Sequence, residues 1–127
     1  MGLQQVLLDG QPVAAGQERR LLPGLDIAAH RRLHFHVSGG IGGIENLSIR
    51  VLFGTPIPGV ILLADSTVWF EETIWEREFL HQVPSGYGRT GMVMSVPVVA
   101  PLLYDVILSN TGPADLPEIY VAVFAQD

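Results

Sequence analysis

The side chains of this chain best suited to chemistry are a histidine group and an aromatic-acidic run. His30, His34 and His36 lie in the segment HRRLHFH, and His81 stands apart. In an extended strand His34 and His36 project from one face about 6.6 Å apart, at roughly 3.3 Å per residue. That separation lets two imidazoles reach one metal ion. Unperturbed imidazoles also titrate near pH ~6.5, so the pair could act as a proton-linked switch. The second group is Trp69, Glu71, Glu72, Trp75, Glu76 and Glu78. Aromatic platforms beside carboxylates suit carbohydrate, with the rings stacking on the sugar. Paired carboxylates also serve glycoside hydrolysis when about 5–9.5 Å apart. Four Glu in eight residues meet that condition trivially, so the spacing selects no reaction. The plainer reading makes this run a solvated edge with Trp69 and Trp75 as packing anchors, and the histidines part of a polar sheet face or a subunit interface.

Composition removes whole classes of activity. All seven basic residues are Arg and there is no Cys. Schiff-base lysine chemistry, thiolate catalysis, zinc–thiolate sites and disulfide stapling are excluded. Net charge is −6 and the pI is near 5.0, which leaves no basic footprint for nucleic acid beyond Arg19–Arg20 and Arg31–Arg32. Gly-x-Ser-x-Gly is absent, and no Ser stands beside a His with a carboxylate to orient it. The glycines of residues 39–43 and 86–91 lack the GK[ST] of a phosphate loop and read as sheet turns. Tyr87 and Arg89, on the second of these, are partner-contact candidates. No cofactor is expected.

The elements that must position these residues are strands. The chain of 127 residues is expected to form a single β-sandwich domain over residues 1–127. Gly and Pro punctuate it at short intervals, as in all-β sandwiches and barrels, and no sustained helical period appears. The clearest strand is residues 32–37, with Leu33, Phe35 and Val37 on one face and Arg32, His34 and His36 on the other. Residues 47–53 alternate Leu47, Ile49, Val51 and Phe53 inward against Ser48, Arg50 and Leu52. Residues 119–125 set Ile119, Val121 and Val123 against Tyr120, Ala122 and Phe124. Further strands are predicted at 4–8, ended by the Asp9-Gly10 turn signal, at 13–22, 25–27, 60–70, 92–99 and 102–108. Residues 71–82 are ambiguous and lean to strand. Loops are predicted at 38–43, 55–59, 84–91 and 110–117. Eight to ten strands of this kind predict an all-β fold, an antiparallel two-sheet β-sandwich of jelly-roll type.

Two resemblances follow from these residues. The His34-Phe35-His36 pair is similar to the metal strand of cupins. Their pattern adds a Glu shortly after the pair and a distant His; here the next carboxylate is Glu45, beyond a Gly-rich turn, and the remaining His is His81. The departure leaves no metal site to carry over. Residues 25–37, LDIAAHRRLHFHV, look like the entry strand of galactose-binding-like jelly rolls. Residues 101–125 are similar to the paired closing strands of such domains, joined by an Asn-Thr-Gly turn. That resemblance implies a fold shared by sugar binders, accessory modules and virion parts, and transfers no ligand-binding residue.

The remaining signal is apolar excess. Charged residues make up 16% and hydrophobic residues 48%, against about 25% charged in typical domains, and mean hydropathy is +0.35. Residues 92–108 carry one charge, Asp105, and the strands around Ile61, Val98, Ile107 and Val121 are apolar on both faces. In a two-layer sandwich one of those faces points outward and calls for a cover. The expectation is a non-catalytic, self-associating module, for example a phage or capsid surface component, with copies of itself as partner and neither nucleic acid nor membrane. A carbohydrate-binding module using Trp69, Glu71, Trp75, Tyr87 and Arg89 is the alternative, and a cupin-like metal-dependent enzyme using His34 and His36 is the third. The N-terminus lacks the charged and apolar regions of a signal peptide, so the chain is expected to be soluble and made in the cytoplasm, with particle association as one outcome.

Overall fold

The computed structural model describes residues 3–39, 46–69, 82–83, 86–87 and 90–127. The strands are β1 (Gln4–Val13), β2 (Glu18–Arg20), β3 (Leu25–Asp26), β4 (Arg32–Gly39), β5 (Leu47–Ile57), β6 (Val60–Trp69), β7 (Gln82–Val83), β8 (Gly86–Tyr87), β9 (Thr90–Pro97), β10 (Leu102–Asn110) and β11 (Leu116–Gln126). One sheet runs β1, β11, β4, β9; the other runs β2, β10, β5, β6, with β3 also on β10; β7 and β8 pair with each other. Every pairing is antiparallel.

The connectivity identifies the fold. With β2 and β3 taken as one interrupted strand, the first strand pairs with the last (β1 with β11), the second with the next to last (β2 and β3 with β10), then β4 with β9 and β5 with β6. Such nested pairing is one long hairpin. The added contacts of β11 with β4 and β10 with β5 roll that hairpin into two layers, which is a jelly roll. The expected all-β, two-sheet sandwich is the observed architecture. No helix among the described residues is long and apolar enough to cross a membrane.

Period-two patterning builds the core. Leu33, Phe35 and Val37 of β4 and Ile119, Val121 and Val123 of β11 meet Leu47, Ile49, Val51 and Phe53 of β5 and Leu103, Val106 and Leu108 of β10, and all are buried. Alternate residues face out, so the register of these strands is fixed by burial.

Several boundaries differ from the sequence reading. β1 does not stop at Asp9-Gly10 but continues to Val13, with register shifts between Asp9 and Gln11 and between Gln11 and Val13. Gly10 takes φ +69, and a Cβ there would meet Tyr120 Oη at 2.9 Å. The left-handed glycine thus kinks a continuing strand as a bulge. Of the stretch 13–22 only Val13, at the end of β1, and β2 are strand, β5 extends through Pro56 to Ile57, and β8 and the start of β9 fall in the stretch read as loop 84–91. β10 and β11 are not a closing pair. They are consecutive strands in opposite sheets, because β10 is already flanked by β5 on one side and by β2 and β3 on the other.

Candidate functional site

The sequence-predicted residues separate. Trp69 ends β6 and its backbone pairs with Ser48; Tyr87 lies in β8 opposite Gln82. Glu71, Trp75 and Arg89 lie outside the described residues, as do Glu72, Glu76, Glu78 and His81.

His34 and His36 do share the outer face of β4. Opposite His34 stands Phe124 of β11, and the two rings stack at 4.6 Å with 19° between planes. The His34 Nε2 lies 2.8 Å from Gln126 Oε1, and its Nδ1 lies 2.6 Å from Ser95 Oγ. Both nitrogens are therefore engaged, and a metal would have to displace one of these bonds. Among the described residues no group of three or more His, Asp or Glu is placed to hold a metal ion. His36 lies 5.2 Å from the Phe124 ring, tilted by 59°. Burial, and secondarily the neighbouring His34, pushes its pKa down. It borders a shallow cleft of about 240 Å³ with Val6, Leu8, Asp9, Tyr120 and Ala122. That is smaller than the roughly 300–1,000 Å³ of typical small-ligand pockets.

A different region stands out. The β5–β6 hairpin projects beyond its sheet, because β10 pairs with β5 only as far as Gly54, whereas β5 and β6 stay in register to Ile57 and Val60. The turn is local in origin. Pro58 fixes φ near −65° and Gly59 has φ +86, the residue pattern of a type II turn. Beneath the arm, Gly54 leaves room for Ile61, whose Cγ2 would lie 2.7 Å from a Cβ at that position. Arg50 clamps the hairpin with two bonds to Asp65 Oδ2, from Nε at 2.9 Å and Nη2 at 2.5 Å.

The arm is apolar on both faces. Ile57, Val60, Ile61, Leu62 and Leu63 are between 41% and 56% exposed. Pro56, Ile57, Val60, Ile61, Leu63 and Tyr104 line a hollow of about 490 Å³ on it. Here the structure redistributes the weight of the sequence reading. Residues 92–108 are largely absorbed within the chain: Met94, Val96, Leu103, Val106 and Leu108 join the core and Ile107 is buried between Arg20 and Arg50 in register, while Val99 stays exposed. The two-sided apolar run that stays uncovered is residues 60–63. Its apolarity was visible in the sequence, whereas Ile57 was hidden in a segment read as loop.

No family model matches the chain and no curated relative matches it. Among solved structures the chain is similar, at 12% identity and a TM-score of 0.31, to an uncharacterized conserved protein with a double-stranded β-helix domain from Klebsiella pneumoniae. The match spans 98% of this chain and 76% of that one. The fold assignment rests on the strand order of this chain itself.

Proposed function

We propose that this protein is a non-catalytic, self-associating structural module, a component of a homo-oligomeric assembly. The observation that carries this reading is the β5–β6 arm, where five large aliphatic side chains stand exposed on a projecting hairpin. The largest apolar patch on a typical soluble monomer is about 300–600 Å² and is often functional, and this arm reaches that size with on the order of 400 Å² from those five side chains alone. The low charge of the chain points the same way. His34, bonded at both nitrogens, favours the polar-face reading over the metal-dependent one.

Light scattering coupled to size exclusion tests the proposal. A mass of at least two chains at micromolar concentration is expected, and a monomer throughout the accessible concentration range overturns it.

A further inference from the structure

Resting on that reading, we infer that the contact is edge-to-edge: β6 of one copy pairs antiparallel with β6 of a second copy across a twofold axis beside Leu62. Among the described strands β6 ends its sheet and pairs with β5 alone. An edge strand presents a row of backbone donors and acceptors to any other chain, and proteins usually block it with charge, proline, bulges or shortness. The other edges show such devices. β2 and β3 are three and two residues long, β1 is broken by three register shifts, and β9 ends in Pro97. β6 is ten residues long, its register with β5 is unbroken, and residues 60–64 carry neither charge nor proline.

The hairpin geometry says which groups face that edge. Ile57 and Val60 close a two-residue turn, so they form a hydrogen-bonded pair, and bonded and non-bonded pairs alternate from there. Thr55 with Leu62 is bonded; Pro56 with Ile61 and Gly54 with Leu63 are not. Pro56, which has no N–H, falls at a non-bonded position, as this phase requires. The backbone groups of Ile61 and Leu63 therefore point away from β5. In a twofold pairing centred on Leu62, Ile61 of each copy exchanges bonds with Leu63 of the other. The apolar run 60–64 then lies against itself, as an isologous contact demands. The pairing buries the β6 backbone edge, and cross-strand neighbours cover the flanks of Ile61, Leu62 and Leu63 in each copy.

Two variants test the edge separately from self-association. Leu63→Pro deletes an outward N–H and leaves the β5 ladder whole, so the fold should persist by circular dichroism while dimerisation weakens by roughly tenfold or more. Leu62→Cys introduces a thiol into a chain without Cys. At the centre of the pairing the two Cα atoms stand about 4.5 Å apart, within disulfide range, so mild oxidation should give a reducible covalent dimer. Should Leu63→Pro fail to fold, the Leu62→Cys result decides alone. A dimeric wild type whose Leu63→Pro variant associates unchanged, or whose Leu62→Cys variant does not cross-link, overturns the edge pairing and leaves self-association standing. A monomeric wild type overturns both and leaves the arm to a different partner.

Discussion

Asp105 is the sharpest residue-scale feature outside the core. It is fully buried, yet it faces away from the main apolar cluster toward β2. Its Oδ2 accepts from Arg20 Nε at 2.6 Å and its Oδ1 from the Leu22 N–H at 3.0 Å. Leu22 has φ +42, a conformation that costs a branched side chain energy unless neighbours hold it. The carboxylate therefore fixes both a strand and a strained turn. Asp105→Ala leaves the Leu22 amide without its acceptor, whereas the half-exposed Arg20 can turn to water. A loss of about 2–3 kcal/mol is expected by urea unfolding. His36 gives a pH signature with a definite sign. Its folded pKa lies below the ordinary 6.5, chiefly through burial and then through His34. As pH falls through 6.5 the unfolded chain takes up a proton that the folded chain refuses, so stability declines until the folded imidazole titrates. In His36→Gln that part of the decline should vanish, seen as a flatter dependence of the urea midpoint on pH.

At the scale of elements, the closing loop depends on Asn110. This side chain is buried at the end of β10. Its Nδ2 donates to Val13 O at 3.1 Å and Ala114 O at 2.8 Å, and its Oδ1 accepts from the Gly112 N–H at 3.0 Å. One amide thus ties the end of β1, the β10–β11 loop and the last residue of β10. Asn110→Asp is nearly isosteric but sets a carboxylate oxygen against two carbonyls. A loss of about 2–4 kcal/mol is expected, measured by thermal or urea unfolding, with hydrogen exchange accelerating first at β1 and the 111–115 loop. Strand periodicity was readable at this scale in β4, β5 and β11 from the alternation of their inward residues, although in β5 Ser48 and Leu52 on the second face are buried as well. The run through Asp9-Gly10 was not, because the same dipeptide supplies a positive φ to a hairpin turn or to a bulge, and only the partner strand distinguishes them. Pro56 misled for a related reason. It ends a strand only where its missing N–H has a partner waiting, and β10 stops short of it.

For the whole molecule, nested pairing closes a long hairpin into two layers and leaves edges of unequal quality. Among the described strands β6 alone joins ten-residue length, unbroken register and exposed aliphatics, which is what would make the proposed association directional. If the assembly forms, the oligomer measured by light scattering should also show a melting temperature that rises with protein concentration, since association stabilises the folded chain by mass action. A monomer would melt at the same temperature at all concentrations.

The sequence by itself determined the fold class, the strand faces and the classes of chemistry excluded by the absence of Lys and Cys, because these follow from local alternation and from which atoms exist. It also showed more apolar surface than one layer of core requires. Where that surface ends up was decided by tertiary structure. Residues 92–108 and 60–63 look alike in one dimension. Yet most of the former turn into the core, from the inward face of β9 and from β10, which is flanked on both sides, and the latter lie on a hairpin that outruns its neighbour β10. Burial is a property of what packs opposite, and that depends on strand order and strand length across the sheet rather than on the residue's own sequence neighbours.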